Sequence, residues 1–111
     1  EHFELPELAN LFDEFSRISA VEGELIITFP DVSYVAEESI LGGRDFVADE
    51  NKIGQKGVPK GLSVLNYVVS GWGHKIIVTA PLISEMLEQH GFRVDWQARN
   101  KTNALIIAIK K

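Results

Sequence analysis

The sequence predicts an α+β fold, a mixed and mostly antiparallel sheet with helices packed on it. Three observations carry this. Apolar residues recur at helical spacing in two bounded segments, Glu7–Ile18 and Pro81–His90. Short β-branched runs stand at Glu24–Phe29, Lys75–Thr79 and Leu105–Ile109. An alternating segment, Phe92–Trp96, meets the last of these runs across Asn100-Lys101-Thr102-Asn103, which is turn chemistry. The predicted order is α-β-α-loop-α-β-α-β-β in a single domain spanning residues 1–111.

In the first helix, Leu8, Leu11, Phe12, Phe15 and Ile18 form one apolar stripe, with Asp13, Glu14 and Arg17 on the other face. Pro6 fits a first turn and Glu7 suits the positive end of the helix dipole. Gly23 introduces Glu24–Phe29, whose nearly continuous apolar run reads as a central strand. Pro30-Asp31 ends it. Asp31 is placed to N-cap a helix over Val32–Leu41 closed by Gly42, although the alternation of Val32, Tyr34 and Ala36 also fits a strand.

Residues 42–61 form the Gly-rich loop, with a short strand at Phe46-Val47-Ala48 as its one candidate element. Leu62–Ser70 places Leu62, Leu65, Val68 and Val69 on one side of a helix that ends at Gly71-Trp72-Gly73. Lys75–Thr79 reads as a strand. Pro81–His90 opens on proline, turns Leu82, Ile83, Met86 and Leu87 inward and closes on Gly91. Phe92, Val94 and Trp96 then alternate with Arg93 and Asp95, and all three are expected on the core side. The segment Leu82–Lys111 is similar to the closing helix and hairpin of class I methyltransferases. That family's acidic-x-G-x-G strand-to-loop motif is absent, so no activity or cofactor is carried over.

A hydrophobic share of 45% with 24% charged residues excludes wholesale disorder. The absence of cysteine removes disulfides, thiolate metal sites and a cysteine nucleophile. The longest apolar run, Ala104–Ile109, is far short of the roughly 18 residues of a membrane helix. The first residues show neither the basic nor the apolar region of a signal peptide. A soluble protein, cytoplasmic rather than secreted, is the expectation.

Charge is segregated along the chain. Residues 1–50 hold thirteen acids against two bases, a net of −11, whereas residues 51–111 hold three acids against nine bases, a net of +6. Such asymmetry is one of the few sequence signs of a charged partner. The expected partner is a protein with a basic surface, or a second copy meeting acid to base. It would be met through Glu7, Asp13, Glu14, Glu37, Glu38, Asp49 and Glu50. A pI near 5.1 disfavours a nucleic-acid binder.

Motifs for chemistry are few. The loop Gly54-Gln55-Lys56-Gly57-Val58-Pro59-Lys60-Gly61 runs directly into a helix, an arrangement able to cradle a phosphorylated ligand. Lys56 and Lys60 would supply charge, Gly57 and Gly61 backbone access, Ser63 a hydroxyl, and His74 a side chain from beyond the helix. Neither G-x-x-x-x-G-K-[ST] nor G-x-G-x-x-G is met. His2, His74 and His90 stand in no metal-ligand spacing, and no nucleophile elbow or calcium loop is present. No catalytic residue, metal or cofactor is therefore expected. A non-catalytic protein-binding domain is the leading expectation, and a phosphorylated-ligand site at Gly54–Ser63 the alternative.

Overall fold

A computed structural model describes residues 1–40, 56–70 and 74–111 of the chain. Four helices and three strands are formed there: α1 (Leu5–Ile18), β1 (Glu24–Pro30), α2 (Val32–Ile40), α3 (Lys60–Ser70), α4 (Ala80–Gln89), β2 (Phe92–Asn100) and β3 (Asn103–Lys110). The α+β class is the one expected. The C′ role of Gly42, the strand at Phe46-Val47-Ala48 and the turn Gly71-Trp72-Gly73 lie outside the described residues.

Helix α1 starts two residues before Glu7 because Glu4 serves as N-cap and forms a capping box with Glu7. Its stripe buries Leu8 and Phe12. Helix α4 is N-capped by Thr79, whose hydroxyl accepts from the Leu82 amide at 3.4 Å. Gly91, at φ +90°, takes the left-handed position past its C-terminus. Both helices send side chains to one core with the sheet, in which Phe12, Ile83, Leu87, Phe92 and Ile106 meet.

The sheet is antiparallel throughout, in the order β1-β3-β2. Two expectations change here. β3, not β1, is the central strand, and β1 is an edge of the described sheet whose Ile26 is 58% exposed. Residues 74–79 join no strand. Their polar backbone is engaged elsewhere: the Lys75 and Ile76 amides donate to the Glu1 carbonyl at 2.8 and 3.4 Å, and the Val78 carbonyl accepts from the Val32 amide at 2.9 Å. Apolar content makes Val78 a core residue without making it a ladder residue.

A β-bulge in β2 produces a third difference. Val94 pairs with Ala108 and Trp96 with Ile107, so Asp95 is an extra residue. Trp96 therefore leaves the face occupied by Phe92 and Val94 and stands 51% exposed on the other. There the rows Glu24–Ile109–Arg93, Ile26–Ile107–Trp96 and Thr28–Leu105–Ala98 cross the three strands. With β3 in the centre, Lys110 and Lys111 do not guard a sheet edge. Lys110 lies over the Phe92 ring at 5.6 Å and donates to Ser16 Oγ at 2.5 Å.

Where β1 ends, Asp31 is fully buried and joins several elements. Its Oδ1 accepts from the Ser33 amide at 2.8 Å, the Tyr34 amide at 3.4 Å and the Ser33 hydroxyl, which caps α2. Oδ2 accepts from the Ala80 amide in the first turn of α4 at 2.6 Å. The Asp31 amide donates to Thr102 O in the β2–β3 turn at 2.9 Å. Burial alone pushes this carboxyl up, but the Ser33 hydroxyl and the Ala80, Ser33 and Tyr34 amides together hold it below the usual carboxylate value.

Candidate functional site

The segment after α3 returns to the first residues of the chain. Because the Lys75 and Ile76 amides bind the Glu1 carbonyl, Glu1 is fixed beside His74. His2 then packs edge-on against His74, with ring centroids 4.7 Å apart and planes at 83°. The His2 Nε2 atom lies 3.6 Å from Glu1 Oε1. His74 Nδ1 is 2.5 Å from the Val68 carbonyl, so this nitrogen donates and Nε2 is left as the lone-pair nitrogen. One ligand atom from each of Glu1, His2 and His74 lies within 4.8 Å of the other two. Glu1 and His74 are half-buried and His2 is exposed.

Glu1 also lines a cavity of about 190 Å³ beneath α1. The cavity is walled by Leu8, Phe12 and Phe15 of α1, by Ile27 of β1, and by Ile76 and Val78. Its walls are almost wholly apolar, which suits a hydrocarbon surface, and Glu1 and Thr28 are the polar residues among those that line it.

The residues expected to bind a phosphorylated ligand are divided by the fold. Lys56 is exposed, and Gly57, at φ +80°, has open space around it. Lys60 opens α3, but its side chain is outside the described residues. Gly61 is buried against α2, where a Cβ would collide with the Ser39 carbonyl oxygen. Its missing side chain is a condition for the two helices to touch, not a cradle for a ligand. The Ser63 amide is bound to Pro59 O at 3.1 Å. His74 is held at Val68, about 12 Å along the axis of α3 from Lys60. It belongs with Glu1 and His2 rather than with Lys56, Gly57, Gly61 and Ser63.

The acidic set is divided as well. Glu7, Asp13 and Glu14 are exposed on α1, together with Glu4, which the sequence reading left out. Asp13 Oδ1 lies 3.4 Å from His90 Nε2, and Glu14 pairs with Arg17 one turn on. Glu37 is exposed and accepts from Arg99 at 2.7 Å. Glu38 is only 6% exposed, with Oε1 3.5 Å from Arg99, so it cannot meet a partner. Asp49 and Glu50 lie outside the described residues. The charge halves thus partly neutralise each other across the fold, through Arg99 with Glu37 and Glu38 and through Arg93 with Glu22 at 3.3 Å.

Sequence reading missed the Glu1–His2–His74 grouping. Its members are joined by backbone bonds between segments more than seventy residues apart, and no linear spacing encodes that. No protein-family model, curated protein or solved structure matches the chain.

Proposed function

We propose that the chain is a non-catalytic protein-binding domain of the inhibitor, immunity or adaptor type, which meets a basic partner with the outward face of α1. One observation supports this reading above the others. Glu4, Glu7, Asp13 and Glu14 are all exposed there, against Arg17 as the single base between residues 4 and 18. The acids of α2 are held by Arg99, whereas α1 and its N-cap carry four exposed acids against one base, a net negative field. Such a field chiefly raises the association rate. With a captured basic partner, the on-rate falls at least about tenfold between about 50 and 300 mM salt, and falls again in the double variant Asp13→Asn/Glu14→Gln. An on-rate indifferent to both changes overturns the reading.

The sheet face on which Ile26 and Trp96 are exposed, with no helix over it among the described residues, favours a second reading, self-association. Glu24 and Arg93 flank Ile109 in one row, and Ile26 and Trp96 flank Ile107 in the next. A two-fold axis along β3 would stack two such faces with Glu24 over Arg93 of the second copy and Ile26 over its Trp96. The face is complementary to itself in charge and in apolar surface. Sedimentation then shows a dimer that Trp96→Lys dissociates and Arg93→Glu weakens, with Arg93→Glu/Glu24→Arg restoring it. A monomer at high concentration, or a dimer indifferent to Trp96→Lys, excludes this mode.

A further inference from the structure

We propose that Glu1, His2 and His74 form a binding site for a divalent transition-metal ion of the zinc class. Two imidazoles and a carboxylate are the donors such ions take, whereas calcium and magnesium prefer oxygen alone. A point between three atoms 4.8 Å apart is about 2.8 Å from each, so closing to bonds of ~2.1 Å asks each side chain to move by less than about 1 Å.

Two features beyond the donor set indicate a prepared site. The Val68 carbonyl holds His74 Nδ1 at 2.5 Å, the outer-shell contact that fixes a ligating histidine's tautomer and leaves Nε2 for the ion. The Glu1 carbonyl is tied to the Lys75 and Ile76 amides, which holds the two segments in register before any ion arrives. Three protein ligands leave a fourth tetrahedral position for water or an exogenous donor. Glu1 also lines the apolar cavity, so one ligand of the site borders a hydrocarbon-walled space.

The test is a calorimetric titration of the chelator-stripped full chain with Zn²⁺, repeated with Co²⁺ for its visible spectrum. One ion binds per chain, and the cobalt band has the intensity of a four-coordinate centre. His2→Ala and His74→Ala each weaken binding at least about tenfold, while His90→Ala leaves it unchanged. Nitrogen-detected NMR of the imidazoles gives a second readout in the unaltered protein, with Zn²⁺ moving the Nε2 signals of His2 and His74 together. No binding overturns the proposal. So does binding that survives His74→Ala.

Discussion

The Ala80 amide donates to Asp31 Oδ2 at 2.6 Å across a separation of 49 residues, while the other oxygen of the same carboxylate caps α2. One side chain thereby serves two helix N-termini, where its negative charge is favoured twice. Asp31→Asn replaces an acceptor with an amide that cannot satisfy both amide clusters. We expect it to destabilise the fold at neutral pH by about 2 kcal/mol, measured by urea unfolding.

The same contact sets an acid limb. The folded-state pKa of Asp31 lies below the unfolded value of about 3.9. Its stabilising contribution is therefore complete above the unfolded value and is lost as pH falls through the folded one. Unfolding free energy of the wild type should drop below about pH 4, and Asp31→Asn should flatten that drop. An unchanged slope between pH 5 and pH 2 (both about) would show that other carboxylates govern it.

Gly61 and Gly57 separate two uses of glycine. Gly61→Ala places a methyl group inside the Ser39 carbonyl, so α2 and α3 must part. A loss of at least about 2 kcal/mol is expected by thermal or urea unfolding. Gly57→Ala meets open space and carries only the strain of φ +80°, about 1 kcal/mol.

The bulge in β2 makes deletions unequal. Removing Asp95 leaves Val94 opposite Ala108 and Trp96 opposite Ile107, a regular ladder with every other pair intact. That variant should fold within about 1 kcal/mol of the wild type. Removing Gln97 instead turns Arg99 to the opposite face and breaks its pairing with Glu37 and Glu38, so a broadened or lost unfolding transition is expected.

Arg99 lies 4.3 Å over the Tyr34 ring while bridging Glu37 and the buried Glu38, one oxygen of which has no hydrogen-bond partner among the described residues. Arg99→Ala leaves Glu38 without its cation and should lower the melting temperature by several degrees. Glu37→Gln, which removes an exposed partner only, should lower it less. Arg99→Lys keeps the charge but not the planar fork and should fall between them.

Local periodicity made α1, α4 and the β2–β3 hairpin legible, since each buries a face whose spacing is written in consecutive residues. It failed where pairing decides. The apolar run 75–79 looks like a strand, yet its amides are taken by Glu1. Phe92, Val94 and Trp96 alternate perfectly, but one extra residue in a ladder reverses a face without altering the alternation. Glu38 reads as surface acid because burial beside Arg99 depends on a strand sixty residues later. Of the candidate site, His74 was legible as a residue and its companions were not, because the contact is closed by backbone bonds.

The central position of β3 has a consequence for how the chain acquires its sheet. β1 and β2 touch each other nowhere in the ladder; each pairs only with β3, which is the last of the three to be synthesised. During translation β1 must wait through some eighty residues, with Leu25, Ile26 and Ile27 unpaired, before Ile106–Ala108 reach it. The β2–β3 hairpin can close locally once β3 emerges, whereas β1 joins by pairing of high contact order, so a ribosome stalled before β3 carries neither half of the described ladder.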